Sequence, residues 1–222
     1  MKKLKTLFTV LCLGGLWGFL EATLGTLLHL EAFDSIIFAS TAVLFPIAYL
    51  ICGNAYKATG KARSALYVGI IAASIKAVCF FFVPAINKVI NPMVAILLES
   101  SVMAVAFRVT KPSTICSVKS FITFVVASTV IRTIYVGYSM ATAVPFQSAY
   151  IADGIINVSK IVEYVVTMNA ISFAYAAIYM GISKLLSKVI SEKSLGNLKR
   201  FAYSPAFSVA MFAVAIAVTI IL

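Results

Sequence analysis

Seven long apolar segments, separated by short polar connections, constrain this chain more than any other feature of its sequence. They cover residues of about 7–28, 36–56, 65–83, 93–109, 121–140, 161–185 and 205–222. A helix needs about 20 residues to cross the hydrocarbon core of a bilayer, so these segments have the length of membrane-spanning helices. The alternation of apolar and polar residues that is typical of barrel strands is absent from the sequence. We therefore predict an all-α integral membrane protein, a single domain over residues 1–222 with about seven transmembrane helices.

The composition indicates the same class of protein. Hydrophobic residues make up 62% of the 222 residues, charged residues make up 11%, and the mean hydropathy is +1.06. A soluble core cannot bury that much apolar surface. The net charge of +11 would suggest nucleic acid in a soluble domain, but here the basic residues lie between apolar segments, where they indicate topology. We expect the bilayer as the surroundings of this chain and no nucleic-acid partner.

The cations of the connections predict the orientation of the helices. If the N-terminus is cytoplasmic, two of these cations, Lys88 and Lys160, fall on the outer side and fourteen fall on the cytoplasmic side. The fourteen are Lys2, Lys3, Lys5, Lys57, Lys61, Arg63, Arg108, Lys111, Lys119, Lys184, Lys188, Lys193, Lys199 and Arg200. Positively charged connections stay in the cytoplasm. We therefore predict a cytoplasmic N-terminus, an extracytoplasmic C-terminus and a multi-pass protein of a prokaryotic cytoplasmic (inner) membrane.

Charged residues that interrupt the apolar segments are the main candidates for a functional site. On the predicted topology they come from five helices and lie in the outer half of the membrane: Glu21, Lys76, Glu99, Arg132 and Glu163. Charges at this depth are costly and commonly mark a binding site. Together with Trp17 and Tyr135, they predict a substrate-binding pocket that is open to the outside. The alternative is a structural network in which the two cations bridge the three carboxylates.

Two outer connections are further candidates. Residues 141–160 form a long, rather apolar connection, which we expect to fold back over the bundle as a lid, although a segment that only seals the bundle is the alternative. His29, Glu31 and Asp34 in the first connection are weak metal candidates, because their spacing matches no strong metal motif. The four cysteines have no paired spacing and are expected to pack in the interior. We expect no bound metal and no cofactor.

Sequence motifs of catalysis are missing. The chain has no HExxH, GxSxG or Walker A sequence and no glycine-rich dinucleotide fingerprint. The cytoplasmic halves of the segments are nearly uncharged, which disfavours a channel. A binding or transport protein is therefore expected rather than an enzyme; a stand-alone secondary transporter and an intramembrane enzyme are the alternatives.

Small residues recur on the first predicted helix. Gly14, Gly18 and Ala22 are spaced by four, so they share one helical face that another backbone can approach closely, either within the bundle or on a partner. With an outward pocket and a folded-back loop, such a membrane-embedded bundle resembles the substrate-binding S component of energy-coupling factor (ECF) type micronutrient transporters.

That resemblance implies a function and partners. It implies that Gly14, Gly18 and Ala22 meet a transmembrane T component, that two ATPase subunits complete the importer, and that the chain captures a small, polar, vitamin-like molecule near the outer surface.

Two features depart from the family pattern. Vitamin-binding members usually have six helices rather than seven, and the cobalt and nickel branch has a histidine where this chain has Lys2. An organic ligand is therefore favoured over a transition metal.

Overall fold

Helices account for most of the structure, which is a computed structural model and describes residues 2–28, 39–82, 86–142, 150–152, 155–190 and 192–221. The helices are α1 (Lys2–Leu27), α2 (Ser40–Thr59), α3 (Arg63–Ala77), α4 (Asn87–Thr110), α5 (Val118–Ala141), α6 (Val158–Val189), α7 (Glu192–Ala202) and α8 (Pro205–Ile221). A 3₁₀ turn, Val78–Phe81, extends α3, and α6 contains a π-helical turn, Glu163–Thr167. Before α6, the two-residue strands β1 (Ile151–Ala152) and β2 (Ile155–Ile156) pair antiparallel.

The helices have the dimensions of a multi-pass membrane protein. Five of those described are long and apolar enough to cross a membrane, namely Leu4–Leu27, Arg63–Phe81, Val89–Thr110, Val118–Ala141 and Val158–Val189. A sixth is added if α7 and α8, whose axes differ by 63°, are counted as one bent span. The predicted all-helical, membrane-type bundle is confirmed at this level, and each predicted apolar segment overlaps one helix.

Helix α2 differs from the five because its C-terminal end is polar, which lowers its mean hydropathy. It is instead surrounded by the bundle, with eleven buried residues over its 20-residue length. The ring of Tyr49 in α2 lies 5.2 Å from the ring of Phe107 in α4 and 5.2 Å from the ring of Phe124 in α5. Its hydroxyl donates a hydrogen bond to the Ser120 carbonyl at 2.8 Å. This aromatic cluster holds α2, α4 and α5 together.

The small residues of α1 are used inside the chain. A methyl group added at Gly14 would lie 2.6 Å from Cβ of Ile71 in α3, and one added at Gly18 would lie 2.6 Å from Cδ1 of Ile75. Ala22, on the same face, is also buried. The absence of side chains at these positions therefore lets α1 approach α3 closely. At Gly14 and Gly18 the structure therefore shows packing within the chain, and contact of this face with a T component stays a prediction.

Candidate functional site

A cavity of about 260 Å³ lies at the end of the bundle where α1, α3 and α5 end and α2, α4 and α6 begin. All six helices contribute to its lining, which comprises Glu21, Gly25, Ser40, Thr41, Leu44, Lys76, Asn91, Pro92, Ala95, Ile96, Glu99, Ile131, Tyr135 and Tyr164. Small-molecule sites usually have volumes of about 300–1,000 Å³. At about 260 Å³ this cavity lies just below that range and therefore suits a small ligand.

Three of the charged candidates line this central cavity: Glu21, Lys76 and Glu99. No direct ion pair joins them in the part of the chain that the structure describes. Glu21 Oε1 accepts a hydrogen bond from Nε1 of Trp17 at 3.2 Å, and the Trp17 side chain is 1% exposed. Trp17 thus positions the carboxylate from one turn away, and its ring is not part of the cavity wall. The cavity presents two carboxylates and one ammonium group that do not neutralise one another by contact.

Arg132 lies beside the central cavity. It lines a side pocket of about 10 Å³, which shares four residues with that cavity: Thr41, Glu99, Ile131 and Tyr164. The guanidinium carbon stands 5.0 Å from the centre of the Tyr164 ring, a cation–π contact. The side chain is only 3% exposed, and its Nη1 is buried with no hydrogen-bond partner among the residues described. The two N–H groups of Nη1 are therefore without an acceptor among the residues described.

The other nitrogens of Arg132 hold three helices together. Nη2 donates to Ser172 Oγ at 2.6 Å, to the Thr41 carbonyl at 3.3 Å and to the Met168 carbonyl at 3.5 Å. Nε donates to Asn169 Oδ1 at 3.3 Å. These contacts join α5 to α2 and α6. Arg132 is thus mainly a structural donor that also lines the side pocket.

Ser128 and Thr129 complete a polar seam with Arg132, Asn169 and Ser172, and the sequence reasoning singled out neither of these two. Ser128 donates a hydrogen bond to Asn169 Oδ1, and Asn169 Nδ2 donates to Thr129 Oγ1 at 2.9 Å. The sequence does hold a signal, because Ser128 and Arg132 are four residues apart, and Asn169 and Ser172 are three apart, so each pair shares a helical face. The seam explains how a cation is accommodated at this depth without a carboxylate partner.

Aromatic rings cover the side of the cavity next to α6. The ring of Tyr164 lies 6.0 Å from that of Tyr135 and 5.7 Å from that of Tyr150. Tyr164 belongs to the π-helical turn of α6, a feature that often occurs at functional sites. Tyr150 lies in the connection before α6, where its carbonyl accepts a hydrogen bond from the Asn157 N–H at 2.8 Å, and burial raises the pKa of its phenol. The connection therefore contacts the cavity wall through Tyr150, whose ring packs on that of Tyr164.

Other predicted residues lie elsewhere. Glu163 does not line the cavity; it pairs with Lys160 at 2.9 Å, and its side chain is 33% exposed. The first-loop candidates His29, Glu31 and Asp34 lie outside the described residues, as do residues 143–149 and 153–154 of the expected lid. Where side chains are described, no group of three or more His, Cys, Asp or Glu is placed to hold a metal ion.

Ser40 and Thr41 at the start of α2 line the cavity and were also missed, because this end of α2 carries no charge that would have marked it; the one charged residue of the helix, Lys57, lies in its last turn. Their hydroxyl groups add to the other neutral polar side chains of the wall, Asn91, Tyr135 and Tyr164. Comparisons with protein-family models, with curated proteins and with solved structures find no significant match to this chain.

Proposed function

We propose that this chain is a membrane-embedded substrate-binding protein that captures a small molecule with both an acidic and a basic group. One observation carries the proposal: Glu21, Lys76 and Glu99 line a single cavity without direct ion pairs among the residues described. Unpaired charges in the membrane are costly. A ligand of complementary charge would supply the counter-charges that the three side chains do not give one another, and would therefore stabilise all three.

The lining suggests how such a ligand lies. Its basic group would sit between Glu21 and Glu99, and its acidic group would face Lys76. A planar or apolar part would pack on the rings of Tyr135 and Tyr164. With two carboxylates and the cations Lys76 and Arg132 around the cavity, a ligand without net charge keeps the site close to neutral.

In this proposal the seven predicted segments are seven spans with a cytoplasmic N-terminus and an extracytoplasmic C-terminus. The cavity then lies toward the outside of a prokaryotic cytoplasmic membrane, and the fourteen cations of the connections lie inside. The protein would act as the S component of an ECF-type importer of a vitamin-like micronutrient, together with a T component and two ATPases. Because α3 packs against Gly14 and Gly18 and Ala22 is buried, the T component would have to contact another face.

A ligand panel tests this proposal. The purified chain is heated in detergent with vitamins, nucleobases, amino acids and divalent metal ions, each in turn. A ligand at 100 times its dissociation constant adds about 2.7 kcal/mol to the free energy of unfolding. We expect stabilisation by a compound with both an acid and a base, lost in Glu99→Gln and in Lys76→Gln.

Glu163→Gln is the matched control, because it also removes a charge at this end of the bundle but does not line the cavity. It should retain the full stabilisation. If no member of the panel raises the unfolding temperature, or if all three variants respond like the wild type, the binding proposal fails. Uptake into liposomes that contain this chain alone would favour the stand-alone transporter instead.

A further inference from the structure

A groove of about 870 Å³ lies at the opposite end of the bundle from the central cavity. It is formed by the beginning of α1, the end of α2 at Ala58, the end of α7 and the turn that leads into α8. Its apolar wall includes Leu4, Phe8 and Tyr203. This groove is separate from the residues that line the central cavity, and the proposed ligand makes no use of it.

Three cations line this basic groove: Lys5, Lys199 and Arg200. None of the residues that line it is an aspartate or a glutamate. The ion pair found in the described part of the chain, between Lys160 and Glu163, lies at the other end of the bundle. The groove therefore combines a concentration of positive charge with an apolar wall and lacks an internal counter-charge.

Helix α7 extends the apolar character of the groove. Leu198 and Phe201 are 59% and 61% exposed, and they flank the two basic residues Lys199 and Arg200. Exposed apolar residues beside lysine and arginine are typical of helices that lie in the membrane interface. The bend of 63° between α7 and α8 lets α7 leave the direction of the spanning helix.

We propose that this groove binds an anionic phospholipid of the cytoplasmic leaflet. The phosphate lies among Lys5, Lys199 and Arg200, and an acyl chain lies along Leu4, Phe8 and Tyr203. The position of the groove agrees with this assignment. The start of α1 and the end of α2 carry cations, and the positive-inside rule places such cations on the cytoplasmic side. Anionic lipids of the cytoplasmic leaflet bind in basic pockets between helices. A soluble phosphate would use the cations but not the apolar wall.

Binding of phosphatidylglycerol to the full chain in detergent, measured by native mass spectrometry, tests the proposal. Phosphatidylcholine and inorganic phosphate are the comparison probes. Each cation close to an anionic lipid strengthens binding about fivefold, so the triple variant Lys5→Gln, Lys199→Gln, Arg200→Gln should bind phosphatidylglycerol about 100-fold more weakly. Lys199→Gln alone should weaken it about fivefold.

The control variant carries Lys57→Gln, Lys61→Gln and Arg63→Gln. These three residues are exposed and do not line the groove, and they lie at the same end of the bundle: Lys57 in the last turn of α2, Lys61 in the connection that follows, and Arg63 at the start of α3. The control loses the same charge and should bind phosphatidylglycerol like the wild type. Equal weakening in the two triple variants would show general attraction to the charged surface and would overturn the proposal.

Two more outcomes would also overturn it. Equal affinity for phosphatidylglycerol and phosphatidylcholine would mean that the cations do not recognise the headgroup. Binding of inorganic phosphate as tight as that of phosphatidylglycerol would mean that the apolar wall holds no acyl chain. If the groove instead serves a protein partner, phosphatidylglycerol binding will not depend on the three cations.

Discussion

Replacing Arg132 with alanine removes the side chain that joins α5 to α2 and α6. The wild-type guanidinium makes four hydrogen bonds, to Asn169, Ser172 and the carbonyls of Thr41 and Met168, and it contacts the Tyr164 ring. The substitution leaves the acceptors behind in a buried seam. Arg132→Ala is therefore expected to destabilise the bundle, whatever its effect on ligand binding.

The contacts allow the size of this loss to be worked out. Hydrogen bonds between helices in membranes contribute about 0.6 kcal/mol each on average, with a maximum of about 1.7 kcal/mol. The cation–π contact adds about 1 kcal/mol. Removal of the unpartnered Nη1 relieves part of the cost of burying the group. The expected net loss in the free energy of unfolding is about 2–3 kcal/mol. Arg132→Lys should lose less, because it keeps the charge but not the planar fork.

Unfolding by increasing amounts of denaturing detergent measures this loss. Trp17 is the only tryptophan of the chain and is buried, so its fluorescence reports the transition. Arg108→Ala is the control, since Arg108 is exposed near the end of α4. If Arg132→Ala is no less stable than Arg108→Ala, the hydrogen bonds assigned to Arg132 do not hold the helices together.

Two further substitutions test the packing and the limits of the site. Gly14→Ala places a methyl group against Ile71 and should cost about 1–3 kcal/mol of unfolding free energy. Gly137→Ala is the control and should cost nothing, because a methyl group there meets no atom within 4 Å. Equal losses in the two variants would contradict the close approach of α1 and α3. Glu163→Gln removes a partly exposed ion pair with Lys160 and should change the unfolding free energy by less than about 1 kcal/mol, so that a larger loss in the same detergent titration would place Glu163 in a buried network.

The positions of the helices were predictable because an apolar segment of about 20 residues indicates a membrane-spanning helix. The predicted first segment begins at about residue 7, whereas α1 begins at Lys2, since polar residues that flank a span can continue the helix beyond the hydrocarbon core. The meeting of Glu21, Lys76 and Glu99 at one end was also predictable. It follows from the alternating direction of successive helices, which fixes the depth of each residue along the bundle.

The side of each helix on which a residue lies, and so whether it lines the cavity, was harder to predict. Glu163 has the expected position along α6, yet the π-helical turn interrupts the regular helical spacing, and Tyr164 rather than Glu163 lines the cavity. Arg132 was predicted as a ligand-binding cation, but most of its donors are taken by backbone carbonyls and by Asn169 and Ser172. Which carbonyls face a side chain depends on the packing of helices, and a sequence pattern does not contain this information.

Mass spectrometry of the small molecules that the purified chain releases on denaturation tests the central claim most directly. We predict that the wild type releases about one molecule per chain, that this molecule carries both an acidic and a basic group, and that Glu99→Gln and Lys76→Gln release little of it. Glu163→Gln should release as much as the wild type. If the released molecule has no ionisable group, or if all four proteins release the same amount, the charged cavity is not a substrate-binding site.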